Sequence, residues 1–117
     1  MGNPVVHFEV IGQDAKRLQS YYSELFDWTI DHTNVAGYGL VQPNGEGGIP
    51  GGIGGGHVPD YAGHVTFYVQ VPDVGEALEK AEQLGGTRLF GPEKVTKGVV
   101  LGQFLDPEGH LVGLLQG

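Results

Sequence analysis

Apolar and polar side chains alternate from residue 5 to residue 10. Val6, Phe8 and Val10 fall on one side of an extended chain and His7 and Glu9 on the other, which predicts a half-buried strand. The period then changes. Ala15, Leu18, Tyr22 and Leu25 recur at spacings of three and four, the apolar stripe of a helix that Asp14 caps and that ends near Phe26. Short strands are expected at residues 28–32 and 38–42, around a turn at Asn34 and Gly37. Residues 44–56 are so rich in glycine that propensity gives a loop, with Ile49 and Ile53 able to anchor a weak strand inside it. Those glycines never take the spacing of a dinucleotide fingerprint, and no helix follows them to receive a pyrophosphate.

The alternation returns at residues 64–71, with Val65, Phe67, Val69 and Val71 on the expected buried face and His64, Thr66, Tyr68 and Gln70 opposite. Asp73 and Glu76 form a capping box, Glu76 and Lys80 pair one turn apart, and Gly85-Gly86 closes a helix whose stripe is Val74, Ala77, Leu78, Ala81 and Leu84. Strands are expected around 87–90, 99–104 and 110–115, the last two joined by a type I turn at Asp106-Pro107-Glu108-Gly109.

The capping aspartates Asp14 and Asp73 stand 59 positions apart, and that offset carries the whole pattern with it. Val6, Phe8 and Val10 map onto Val65, Phe67 and Val69, while Ala15, Leu18, Tyr22 and Leu25 map onto Val74, Ala77, Ala81 and Leu84. The chain therefore reads as one α+β domain over 1–117 built from two βαβββ modules, at about 4–56 and 64–117, with a linker at about 57–63. Neither half can bury its apolar face alone. The two sheets are expected to join edge to edge or as halves of a curved, partly open mixed sheet barrel, helices outside, leaving a concave polar face.

Composition removes several chemistries. With no cysteine there are no disulfides, thiolate metal sites or cysteine nucleophiles, so any metal would need His and carboxylate ligands. A formal net charge of −8 with six scattered Lys and Arg argues against nucleic acid and suits a cationic small molecule as well as simple solubility. No apolar run suits a membrane span and the first ten residues lack the marks of a secretory signal, so the expected location is the cytoplasm. Hydrolase chemistry has no support, because no strand-turn-helix nucleophile elbow is present.

Val6-His7-Phe8-Glu9-Val10, the helix end Tyr21-Tyr22-Ser23-Glu24-Leu25-Phe26-Asp27-Trp28, the Gly85-Gly86 stop and Asp106-Pro107-Glu108-Gly109-His110 together resemble the vicinal oxygen chelate superfamily, which includes glyoxalase I, bleomycin-resistance proteins and ring-cleaving dioxygenases. The resemblance spans nearly the whole chain and implies the glyoxalase/bleomycin-resistance fold and a homodimer, with modules paired within a chain or swapped between subunits. It does not fix an activity. In metal-dependent members one inward position on the first and last strand of each module supplies a ligand. Carried over, these positions hold His7, Gly51 or Gly52, Thr66 and Gly113, so His7 alone keeps a ligand side chain. A catalytic zinc site needs three protein ligands, and no cofactor is expected here. A shifted Zn, Ni or Fe site from His7, Glu9 and His64 is the alternative, although a two-residue displacement separates donors by about 6–7 Å along a strand.

The candidate ligand-binding residues are therefore His7, Glu9, Tyr38, His64, Thr66, Tyr68 and Gly113, with His7 and Glu9 the candidate catalytic groups. Each has a plainer reading: His7 as a hydrogen-bonded wall residue, Glu9 as a solvated carboxylate, Tyr38 and Tyr68 as packing at a subunit contact. His32, His57 and His110 are expected at the surface. The function expected first is a metal-free protein holding a small organic ligand, cationic by charge complementarity. A lyase, isomerase or dioxygenase using the shifted metal site, or His7 or Glu9 as general base, stands second, and an interaction module third.

Overall fold

The computed structural model describes residues 2–33, 37–56 and 58–117, so Asn34 of the expected turn and His57 lie outside the described residues. The chain forms two compact units, residues 7–65 and residues 1–6 with 66–117. In the first unit β1 (Val5–Gly12, from His7 onward) leads to α1 (Ala15–Phe26), β2 (Ile30–Asp31), β3 (Gly39–Val41) and β4 (Gly51–Gly55), and the strands lie in the order β2-β3-β4-β1. β4 runs parallel to β1, pairing Glu9 with Gly52 and Val10 with Ile53, and antiparallel to β3.

The second unit repeats the plan. β5 (His64–Val71, from Thr66 onward) is followed by α2 (Val74–Gln83), β6 (Thr87–Lys94), a 3-10 turn (Thr96–Gly98), β7 (Val100–Leu105) and β8 (Leu111–Gln116), in the order β5-β8-β7-β6. β8 is parallel to β5, pairing Tyr68 with Gly113 and Val69 with Leu114. Glu9 with Gly52 and Tyr68 with Gly113 are therefore corresponding pairs in an α+β chain of two βαβββ modules. Both helices begin as their caps imply: Asp14 Oδ1 accepts from Arg17 N at 3.1 Å and Asp73 Oδ1 from Glu76 N at 3.0 Å.

Each core lies between helix and sheet. One gathers Val10, Val41 and Ile53 with Phe8, Leu18, Tyr22, Trp28 and Ile30; the other gathers Val71, Val74, Leu78 and Leu114 with Val69, Ala77, Val100 and Phe104. Close approach is possible because a glycine sits under each helix. A Cβ at Gly39 would stand 2.7 Å from Ile30 and 2.8 Å from Gln19, and one at Gly102 would stand 2.7 Å from Val74.

The pattern misleads in four places. The segment expected to be loop contains β4, with Gly51 to Gly54 buried, while Ile49 lies outside it and is exposed. Glycine's weak strand propensity is overridden because the absent side chains make room for rings: a Cβ at Gly51 would overlap Phe8, and one at Gly52 would overlap Tyr38. The strands expected at 28–32 and 38–42 shorten to Ile30–Asp31 and Gly39–Val41. On β5 the expected burial reverses toward its start, where Val65 is 75% and Phe67 43% exposed while Thr66 and Tyr68 are buried. The packed core reaches only as far along β5 as Val69 and Val71, and Thr66 and Tyr68 are held on the opposite face by Leu111, Gln103 and Gly113. Leu25 and Leu84, corresponding residues at the ends of the two stripes, are also exposed, and buried Gln19 takes a core position in α1.

Val65→Thr is accordingly expected to change unfolding free energy by less than about 0.5 kcal/mol, as measured by urea denaturation. A loss above about 1.5 kcal/mol would show that this face is covered in solution.

Candidate functional site

Four of the residues singled out by the sequence converge in the unit of residues 7–65. The even spacing of His7 and Glu9 puts both on one face of β1, and Tyr38, just before β3, lays its ring over Gly52 on that face. The Tyr38 hydroxyl donates to Glu9 Oε1 at 3.0 Å and lies 3.0 Å from His7 Nε2. On the other side, Glu9 Oε2 is 2.7 Å from Nε2 of His64 at the start of β5, and His64 Nδ1 meets the Tyr61 hydroxyl. Glu9 is 7% exposed, so these partners satisfy a carboxylate whose burial would otherwise be costly. The solvated reading of Glu9 is thereby overturned.

One proton per hydroxyl fixes the direction of the bonds. Tyr38 gives its proton to Glu9, so its oxygen accepts and His7 presents Nε2–H to it. Burial lowers the His7 pKa below 6.5, against a smaller raising effect of Glu9, so the ring is neutral at pH 7 and Nδ1 carries its lone pair. Burial, with Glu9 adding to it, raises the Tyr61 pKa above 10.0 and keeps that phenol protonated, ready to donate to His64 Nδ1 while His64 turns Nε2–H to Glu9. Donors thus point inward from both sides onto one carboxylate.

A pH dependence follows. Because the folded state holds the His7 pKa below its unfolded value, the unfolded chain binds that proton more readily. This part of the stability is complete above pH 6.5 and is lost as pH falls from there toward the depressed folded value. Urea unfolding of wild type and His7→Gln at neutral and mildly acidic pH should show a smaller loss in the variant. Equal losses would remove His7 as a source.

Tyr61 and Gln103 were not among the residues the sequence singled out. Tyr61 follows a turn in which Asp60 has φ 63° and Tyr61 N–H bonds Val58 O at 3.1 Å, and Gln13 holds its carbonyl at 3.1 Å. No periodicity signals such a residue. Gln103 had a signal, as the one polar side chain of β7.

The remaining singled-out residues gather in the second unit. Gln103 Nε2 donates to the Tyr68 hydroxyl at 2.8 Å, the Thr66 hydroxyl donates to the Leu111 carbonyl, and a Cβ at Gly113 would overlap the Tyr68 ring. His32 and His110 are exposed, as expected; His32 Nδ1 lies 3.1 Å from Gln19 Oε1 and His110 Nδ1 lies 3.0 Å from Asp106.

A family model for the glyoxalase-like domain matches residues 7–115. The chain belongs to this family. Within the vicinal oxygen chelate superfamily, this glyoxalase-like domain is similar in fold to a Streptomyces coelicolor methylmalonyl-CoA epimerase solved with 2-nitronate-propionyl-CoA, at 16% identity and TM-score 0.68, covering 98% of this chain and 94% of that one. It is similar to a glyoxalase/bleomycin resistance protein/dioxygenase superfamily member from Vibrio splendidus at 18% identity and TM-score 0.65, covering 99% and 100%. A methylmalonyl-CoA epimerase from Mycobacterium tuberculosis matches at 12% identity and TM-score 0.65, covering 96% and 86%. At these identities the likeness is one of fold. No curated protein matches the chain in sequence.

The glyoxalase-like domain's own residues do not fit a divalent metal at the family's positions. The register distinguishes Gly52, opposite Glu9, from Gly51, which faces Phe8. At Gly52 and Gly113 a ligand side chain would need the space of the Tyr38 and Tyr68 rings. The shifted set fares no better. Glu9 and His64, expected to be held apart by strand spacing, meet directly, but their donor atoms are turned on each other, and the Tyr38 hydroxyl stands between His7 and Glu9. Among the described residues no group of three His, Asp or Glu is placed to hold a metal ion. Nor is any helix among them long and apolar enough to cross a membrane.

Proposed function

We propose that this glyoxalase-like domain binds a small organic ligand, cationic or hydroxyl-bearing, at the wall built on Glu9, and does so without a divalent metal. The observation that carries the reading is the ring of Tyr38 over Gly52, its hydroxyl spanning His7 and Glu9 where a metal-dependent relative would place a ligand side chain. Half-buried His7, Tyr38 and Tyr61 form the surface a ligand meets, and buried Glu9 behind them sets their protons and supplies negative potential. The net charge of −8 favours the cation.

Protein purified without chelator is expected to carry far less than one equivalent of Zn, Ni or Fe, unchanged in His7→Ala. Cationic organic compounds are expected to raise the melting temperature of the wild type and not of Glu9→Gln, since a ligand at a hundred times its Kd adds about 2.7 kcal/mol. Stoichiometric metal lost in His7→Ala would overturn the reading.

A second reading rests on the continuity of the bonds from Tyr61 through His64, Glu9 and Tyr38 to His7. A proton taken by His7 Nδ1 can be balanced by passing Nε2–H toward Tyr38 and the Tyr38 proton to Glu9, which makes His7 a general base in a metal-free isomerase or lyase. Turnover abolished by His7→Gln with ligand affinity retained would favour it.

A further inference from the structure

We propose a second ligand site beside α2, in the unit of residues 1–6 and 66–117, for a small carboxylate bearing an aromatic-sized apolar tail. A cavity of about 350 Å³ opens there between the helix and the sheet, floored by Val69, Val71, Ala77, Ala81, Phe104 and Leu114. The internal repeat shows what this place is built to hold. Ala77 and Ala81 correspond to Leu18 and Tyr22, and the floor residues Val69, Leu114 and Phe104 correspond by strand register to Val10, Ile53 and Val41. In the other unit Leu18 and Tyr22 cover that floor, and Tyr22 stacks on Trp28 at 5.8 Å and Phe26 at 6.1 Å between ring centroids. At the positions corresponding to Phe26 and Trp28 this unit has Gly85 and Thr87. Side chains that one module supplies from its own helix are thus missing from the other, over a floor that offers water no hydrogen bonds. Such a space prefers a ring to solvent.

The mouth selects the charge. Lys80 and Asp106 are its ionisable groups. Asp106 is committed to its own turn: Oδ1 accepts the amides of Glu108 and His110, each at 2.9 Å, and Oδ2 faces His110 Nδ1 at 3.0 Å. Lys80, expected from the sequence to pair with Glu76, has no ion pair among the described residues, so the group left to meet a ligand is an ammonium. This site shares no residue with the Glu9 wall.

The test uses 3-phenylpropanoate and its neutral amide, followed by NMR of the Ala77 and Ala81 methyl groups in the full chain. Saturable shifts are expected, with a Kd on the order of 1 mM for a ligand of about ten heavy atoms. The amide is expected to bind about threefold more weakly, a difference that Lys80→Gln removes. Ala81→Tyr, which transplants the residue from the other module, should weaken binding at least about tenfold with the circular dichroism unchanged. Ala77→Leu serves the same purpose if that variant does not fold. No saturable shift, equal binding of acid and amide, or full affinity in the filled variants would overturn the site. So would loss of binding in Glu9→Gln, which would place the ligand at the other wall.

Discussion

Glu9→Ala is expected to lower unfolding free energy by about 3–5 kcal/mol, since each buried donor left without an acceptor costs about 1–3 kcal/mol and the emptied space adds a cavity. The loss is not that of a single bond. Glu9 receives protons from Tyr38 and from His64, which lies at 2.7 Å, and both side chains of that second pair are mostly buried, at 14% and 10% exposure. Alanine leaves the two donors without an acceptor and opens a void between them. Glu9→Gln should cost much less, about 1–2 kcal/mol. The amide can accept from Tyr38 and donate to His64 Nε2, provided His64 moves its proton to Nδ1 and Tyr61 becomes the acceptor. Urea unfolding of the two variants is the measurement. A cost for alanine below about 1 kcal/mol would mean that Glu9 is hydrated in solution and that the chain of bonds around it does not persist.

Leu78→Ala is expected to cost about 3–4 kcal/mol, in the upper half of the usual range for such truncations. Leu78 is fully buried among Val71, Val74 and Leu114. Two of its neighbours are backbone: ideal Cβ positions on Gly91 and Gly102 stand 3.3 and 3.0 Å from its Cδ1. Strand backbone cannot swing into a vacated space as a side chain can, so the cavity persists. Leu84→Ala, from the same helical stripe, is expected to fall within about 0.5 kcal/mol because Leu84 is 71% exposed. Comparable losses at the two positions would show that α2 is covered along its whole length.

Local periodicity carried most of the fold. The strand at Val6, Phe8 and Val10, the caps at Asp14 and Asp73 and the offset between them are short-range features, and each survives as an element or a register. What periodicity could not reach was how far each element is covered. Val65 and Phe67 obey the alternation of Val69 and Val71, but the core ends before reaching them, and nothing in the sequence of β5 marks that limit. The glycine strand was illegible for a related reason. Its burial depends on Phe8 and Tyr38, each distant in sequence from the glycines it lies on. Of the site, His7 and Glu9 were visible as polar residues on a strand and His64 through the second alternation. Tyr61 was not visible, because its position depends on the backbone turn at Asp60.

With no side chains at Gly52 and Gly54, β4 offers the polar wall a surface but no functional groups of its own. The chemistry above Gly52 belongs to whatever residue stands at position 38, two strands away in the sheet from β1. Exchanging Tyr38 for phenylalanine or histidine would therefore change the groups this wall presents while the platform beneath it stays the same. On the proposed reading, ligand preference can drift by single substitutions on a neighbouring segment while the glycine strand beneath stays as it is.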